Sequence, residues 1–196
     1  MVDMKLVVAA LTAVTLVSSS CVRADAQSAH AATTPSTPST TTPSTPPAVV
    51  PAGPLGVVLT EFERLHQDLA RDSAANLAAI VGRLTPASDA LTAAGHPQAA
   101  AIAAGVTALS AALPAAGAGV TADLKVVRVA FGQLSRGVVG AIAADPTLQV
   151  GRFLYQCPMA KGYQRWVELK PRMENPYMGS RMLECGSAVV AWTVDG

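Results

Sequence analysis

Apolar residues recur at α-helical spacing over residues 55–145, and this pattern constrains the fold more than any other feature. Val58, Phe62, Leu65 and Leu69 follow one another at intervals of three or four residues, which is the spacing of one helix face. Three more stripes of this kind come after it: Leu77, Ile80, Val81 and Leu84; Ile102, Val106, Leu109 and Leu113; and Leu124, Val127, Phe131, Leu134, Val138 and Ile142. The spacing predicts four amphipathic helices.

Capping residues, glycines and prolines separate the stripes. We expect Asp72-Ser73 to cap the second helix and Thr85-Pro86 to restart or kink it. Gly95-His96-Pro97 should then end that helix and begin the third, and Asp145-Pro146 should end the fourth. Amphipathic helices joined by short turns favour an antiparallel four-helix bundle, so the expected fold class is mainly α.

The first 26 residues are organised like a secretory signal peptide. Lys5 precedes an apolar run of 12 residues, Leu6 to Val17, and small residues follow it. That run is shorter than the roughly 20 residues that span a bilayer, so we predict no transmembrane helix. Cleavage after Ala26 would release a soluble protein, whereas cleavage before Cys21 would leave a cysteine for lipid attachment. Both routes predict a periplasmic or other extracytoplasmic location, soluble or lipid-anchored.

Residues 27–54 are rich in proline, threonine and serine. Proline fixes the backbone and removes hydrogen-bond donors, and the segment has little that is large enough to bury. This composition predicts a disordered, extended linker between the signal peptide and the helices.

Charge and motif content argue against two function classes. The formal net charge of +1 provides no basic surface for nucleic acid. The chain has no evident Ser/His/Asp group, carboxylate pair or phosphate-binding loop, so we do not expect an enzyme. His66 lies beside the first apolar stripe, and we interpret it as a boundary residue of that helix.

Residues 146–196 differ in composition, with most of the aromatic residues and most of the sulfur beyond the signal peptide. Phe153 to Cys157 and Arg165 to Leu169 are expected to form a hairpin. Asn175 to Gly186 begins with a good N-cap and a proline and ends in glycine, which predicts a short helix. We expect this segment to pack on the helices as part of one domain.

Sulfur-containing side chains are the candidate site residues of this segment. In a helix from Asn175 to Gly186, Met178, Met182 and Cys185 would share one face; Cys157 and Met159, two residues apart, would share one side of a strand. Five converging sulfurs would suit a soft ion such as Cu(I) or Ag(I). The alternative is a structural disulfide between Cys157 and Cys185, which would add roughly 3–4 kcal/mol, with the methionines in the core.

The same residues form a motif that is similar to a known one. Cys157-Pro158-Met159-Ala160, Trp166 and the stretch from Asn175 to Gly186 resemble a bacterial domain family of unknown function. That family occurs as stand-alone exported proteins and is also fused to periplasmic adaptor subunits of copper/silver-type heavy-metal efflux systems. The helices resemble it as well, through Leu69-Ala70-x-Asp72 and Val129-x-Phe131-x-x-Leu134-Ser135.

The resemblance implies a role in periplasmic copper or silver handling, with an efflux component as partner. Cys157, Met159, Met182 and Cys185 occupy motif positions, whereas Met178 stands at a variable one. The chain lacks the hairpin and barrel parts of an adaptor subunit, so it would not itself connect a pump to a channel.

Overall fold

The computed structural model describes residues 45–115, 117 and 119–195. Within them the protein is mainly α-helical and carries a small three-stranded antiparallel sheet, which confirms the predicted fold class. The predicted signal peptide, Cys21 and linker residues 27–44 lie outside the described residues.

Four long helices bury the predicted stripes. They are α1 (Pro54–Ala70), α2 (Leu77–Ala93), α3 (Ala99–Ala112) and α4 (Leu124–Ala144), and a short α5 (Pro146–Gln149) follows. Each long helix packs against the next one in the chain, and α1 also contacts α4. Every stripe residue is buried except Leu113 and Leu124, which are half-buried. The periodicity therefore identified the core face of all four helices.

Two expected helix boundaries differ from the structure. Asp72 does not cap α2, which begins at Leu77, because Asp72 has a left-handed φ of 55° and its carboxylate binds Ser180 and Arg128 instead. Pro86 does not restart α2 but lies inside it. Because proline has no N–H group, the Gly82 carbonyl lacks its usual helical donor. Pro86 and Gly82 both lie on the exposed side of α2, where water can solvate this carbonyl.

Helices α3 and α4 approach each other closely because glycines line their contact. A Cβ atom on Gly105 would lie 2.3 Å from Cα of Leu134, and one on Gly137 would lie 2.8 Å from the backbone nitrogen of Ile102. Of the described helices, only α4 is long and apolar enough to cross a membrane by length and composition, and 67% of its apolar window is buried inside the protein. Burial of this kind is also found in the core helices of soluble proteins.

The sheet contains β1 (Phe153–Gln156), β2 (Arg165–Glu168) and β3 (Ser187–Val189), in the order β2-β1-β3. Leu154 lies opposite Val167 of β2 and Val189 of β3. The β1–β2 pair is the hairpin expected from the sequence. We did not predict β3, which is three residues long and largely exposed, so it has no hydrophobic alternation to detect.

A row of aromatic rings connects the helices to the sheet. Phe131 of α4 stacks on Phe62 of α1 at 5.1 Å between ring centroids, and its other neighbour is Tyr177 at 5.4 Å. Trp166 of β2 lies 5.8 Å from Tyr177 and 5.7 Å from Tyr155 of β1. These edge-to-face and stacked contacts extend the helical core into the C-terminal segment.

Candidate metal centre

Three sulfur atoms meet at one end of the sheet. Cys157 follows β1 by one residue and Cys185 precedes β3 by two, and because Gln156 lies opposite Ser187 the antiparallel pairing brings the two cysteines together. Their Sγ atoms are 3.6 Å apart. Met159 lies in the turn closed by the hydrogen bond from the Ala160 N–H to the Cys157 carbonyl, and its Sδ is 3.6 Å from Cys185 Sγ.

The three side chains differ in their access to solvent. Cys157 is fully buried, Cys185 is half-buried and Met159 is 57% exposed. One thiol is therefore held in the core while the thioether faces water. An ion could approach from the Met159 side and still reach a buried sulfur.

The Cys185 thiol is biased toward its protonated form. Its hydrogen bond with Cys157 raises the pKa of Cys185, and partial burial and the nearby charge of an ionised Cys157 act in the same direction. Ligation requires the thiolate, so a bound metal would have to displace this proton. Metal affinity at this pair should therefore rise with pH.

Asn175 stabilises the loop of residues 175–186, which carries Cys185. Its side chain is fully buried, and its Nδ2 donates a hydrogen bond to the carbonyl of Cys185. Its Oδ1 accepts from the N–H groups of Tyr177 at 2.8 Å and Met178 at 3.1 Å, and its own N–H donates to the Leu183 carbonyl at 2.8 Å. One side chain thus holds the two ends of the loop together.

This loop is not the α-helix expected from the sequence. Its helical part is a single 3-10 turn, Gly179–Arg181, because Gly179 has a φ of 65°, which an α-helix does not accommodate. A Cβ atom at Gly179 would lie 2.0 Å from a carboxylate oxygen of Asp72. Met178, Met182 and Cys185 therefore do not form the helix face that the spacing predicted.

Only part of the predicted five-sulfur set comes together. Cys185 makes sulfur contacts with both Cys157 and Met159. Met178 is half-buried and packs against the hydrophobic core, and Met182 is 43% exposed. Met182 stays near the site through its backbone, since its carbonyl accepts the Cys185 N–H at 3.1 Å.

Asp72 and Arg128 attach the loop to the helices. The Asp72 carboxylate accepts from the backbone N–H and the hydroxyl of Ser180, and Arg128 donates to Asp72 and to the carbonyls of Leu69 and Pro176. The hydrogen bond from Ser180, followed by that from Arg128, lowers the pKa of Asp72. Sequence reasoning treated Asp72 as a helix cap and missed this role.

A buried ionisable cluster lies beneath the same loop. His66 is only 2% exposed, and its Nε2 is 2.7 Å from the carbonyl of Glu174 and 3.6 Å from Glu168 Oε1. Glu168 also accepts from Trp166 Nε1 at 2.8 Å and from the Glu174 N–H at 2.6 Å. Burial opposes the charged ring, but the hydrogen bond with Glu168 and the charges of Glu63 and Glu168 outweigh it and raise the pKa of His66.

The interpretation of His66 as a boundary residue therefore missed its position under the loop. The histidine and the Glu174 carbonyl that it contacts are separated by 108 residues, and no spacing rule connects them.

The donor set suits a soft ion better than a hard one. The described residues contain no group of three or more His, Cys, Asp or Glu side chains that could hold a metal, and the third sulfur at the thiol pair is the Met159 thioether. With metal–sulfur bonds of about 2.3 Å, two sulfurs on one ion lie roughly 3.8–4.6 Å apart. The 3.6 Å between the thiols is close to that range, and it exceeds the S–S bond length of about 2.05 Å in a disulfide.

Comparison of the chain with models of known protein families, with curated proteins and with solved structures found no significant match. The family resemblance described above therefore remains a sequence-based prediction, and the site rests on its geometry.

Proposed function

We propose that the protein is an exported module that binds or buffers Cu(I) or Ag(I) through Cys157, Cys185 and Met159. The observation that carries the proposal is the position of Cys185 Sγ, which lies 3.6 Å from Cys157 Sγ and 3.6 Å from Met159 Sδ. In this proposal α1–α4 form an antiparallel four-helix bundle that serves as a scaffold and has no catalytic role.

The chemistry of the ligands supports a soft monovalent ion. Thiolates and thioethers prefer soft ions, and a thioether needs no deprotonation, so Met159 could contribute at any pH. The two thiols, now 3.6 Å apart, would have to separate by about 0.2–1 Å to share one ion, given metal–sulfur bonds of about 2.3 Å. The buried Cys157 would retain the ion while the exposed side of the site exchanges it.

The cellular setting in this proposal comes from the sequence. The predicted signal peptide and the adaptor-like motif support a periplasmic or other extracytoplasmic location and an efflux component as partner. Lipid attachment at Cys21 would keep the module close to a membrane.

The direct test is anaerobic titration of the fully reduced protein with Cu(I), in competition with a chromophoric Cu(I) chelator. We expect one ion to bind per chain and the affinity to fall by at least about 100-fold in Cys157→Ser/Cys185→Ser, because both thiolates are lost. Binding by the wild type that is no tighter than binding by this double variant would contradict the proposal.

Methionine variants separate the three-sulfur site from the predicted five-sulfur one. We expect Met159→Leu to weaken Cu(I) binding by about tenfold, since leucine conserves size but removes the thioether. Met178→Leu is the matched control and should change the affinity less than twofold, because Met178 packs against the core. Equal losses in both variants would instead favour the larger ligand set.

The second candidate function is a non-catalytic structural or interaction domain with a Cys157–Cys185 disulfide. The 3.6 Å separation of the Sγ atoms and the complete burial of Cys157 favour it, because a small rotation of both side chains could form the bond. Counting free thiols in protein isolated from its native compartment distinguishes the two. Absence of free thiols, together with no measurable Cu(I) binding by the reduced protein, would establish the disulfide-bonded structural domain.

A further inference from the structure

A second candidate site lies between α1, α4 and β2. The described residues line a partly open pocket there with a volume of about 380 Å³. Its lining is mixed, and the apolar part includes Leu59 and Phe62 from α1, Val138 and Ile142 from α4, and Val167 from β2. This volume lies in the lower part of the roughly 300–1,000 Å³ range of small-molecule sites.

The pocket contains a buried arginine without a carboxylate partner. Arg152 lines it and is only 7% exposed. Its guanidinium donates to the carbonyls of Leu148 at 2.6 Å and Val49 at 2.7 Å, but no carboxylate of the described residues lies within 4.0 Å of it. Carbonyl groups satisfy hydrogen-bond donors without cancelling a charge, and buried charges are usually paired.

The other charged residues of the lining are already engaged. Glu63 accepts from Gln67 at 2.7 Å and has its second oxygen 3.8 Å from His66 Nδ1, while Arg64 pairs with Glu61 at 2.5 Å. Two arginines and one glutamate leave the lining with a net charge of +1. Burial lowers the pKa of Arg152, and the charge of Glu63 offsets this only in part. An opposite charge close to a buried cation favours its charged form, so a carboxylate at Arg152 would be stabilising.

We propose that this pocket binds a small amphipathic carboxylate, with its head group on the Arg152 guanidinium and its aliphatic chain against the walls formed by α1, α4 and β2. Guanidinium and carboxylate match in geometry and charge, and the apolar part of the lining buries the chain. This site is separate from the sulfur centre and does not depend on it.

The test is isothermal titration calorimetry of the full-length protein with octanoate. The comparison ligands are 1-octanol and octylammonium, which have the same alkyl chain and different head groups. We expect saturable binding of one octanoate per chain with a Kd below about 1 mM. Octanol should bind at least about tenfold more weakly, and octylammonium more weakly still, because neither can replace the missing negative charge.

Substitutions at Arg152 test whether the carboxylate head group binds there. Arg152→Gln should weaken octanoate binding by at least about tenfold, whereas Arg152→Lys, which keeps the charge, should lose less. Arg136→Gln is the matched control and should change the Kd less than about twofold, because the Arg136 side chain is 61% exposed and lies outside the pocket lining. If Arg152→Gln does not fold, Thr60→Trp, which narrows the pocket from an exposed position, should reduce binding while leaving Arg152 in place.

Equal affinity for the three head groups, or an unchanged octanoate Kd in Arg152→Gln and Thr60→Trp, would overturn the proposal. The Cys157→Ser/Cys185→Ser protein should bind octanoate like the wild type. A negative result for one site therefore does not contradict the proposal for the other.

Discussion

In the helical region, residues 55–145, the contacts that shape the chain are mostly local, whereas in the C-terminal segment, residues 146–196, they join distant residues. The helices are built from i to i+4 hydrogen bonds and apolar stripes that recur within one segment. By contrast, Ser180 binds Asp72 and the Glu174 carbonyl binds His66, each across 108 residues.

The difference matters because the candidate metal centre belongs to the region with little regular structure. Its strands are three or four residues long, and the loop that carries Cys185 contains only a three-residue 3-10 turn. Elements this short have little intrinsic stability, so the sulfur geometry depends on the side chains that attach the loop to the helices. Three predictions test this dependence.

The largest effect is expected from Trp166→Ala. Trp166 is fully buried and links the sheet to the ring of Tyr177, so its removal should lower the free energy of unfolding by about 3–5 kcal/mol. Chemical denaturation measures this change, and Trp192→Ala is the matched control, because Trp192 is only partly buried and should lose less. Equal losses would mean that the sheet is not anchored through Trp166.

Asn175→Ala should have a smaller global effect and a pronounced local one. The change leaves the Cys185 carbonyl and the N–H groups of Tyr177 and Met178 without their partner, which costs about 2–3 kcal/mol. The loop should then open more often, so Cys185 should react faster with an alkylating reagent than it does in the wild type. An unchanged alkylation rate would show that Asn175 does not hold the cysteine in place.

His66→Gln should produce the smallest effect, visible as a change in pH dependence. Because the folded-state pKa of His66 is raised above its ordinary value of 6.5, its contribution to stability is complete below that value and is lost as the pH rises through the folded-state pKa. The stability difference between wild type and variant should therefore shrink as the pH rises above about 6.5. A stability difference between wild type and His66→Gln that stays constant as the pH rises would contradict this expectation.

Much of the fold, but less of the site, could be predicted from the sequence. The apolar stripes identified all four long helices, and aromatic enrichment identified β1 and β2. Both signals can be read from the sequence because they come from residues only a few positions apart. The helix expected from Asn175 to Gly186 was wrong. Its capping signals were local, whereas Asp72 binds Ser180 from outside the segment and the adjacent Gly179 has a left-handed φ. The long-range role of Asp72 has no sequence signature.

The sequence by itself determined where the four long helices lie, where the sulfur is concentrated and which side chains are candidate ligands, because periodicity and composition are properties of the chain. Only the tertiary structure decided which of the five sulfurs meet. Antiparallel pairing of β1 with β3 brings Cys157 to Cys185, a turn adds Met159, and the non-helical loop leaves Met178 and Met182 outside these sulfur contacts. Distances between residues far apart in sequence depend on packing and register, and neither can be read from local spacing.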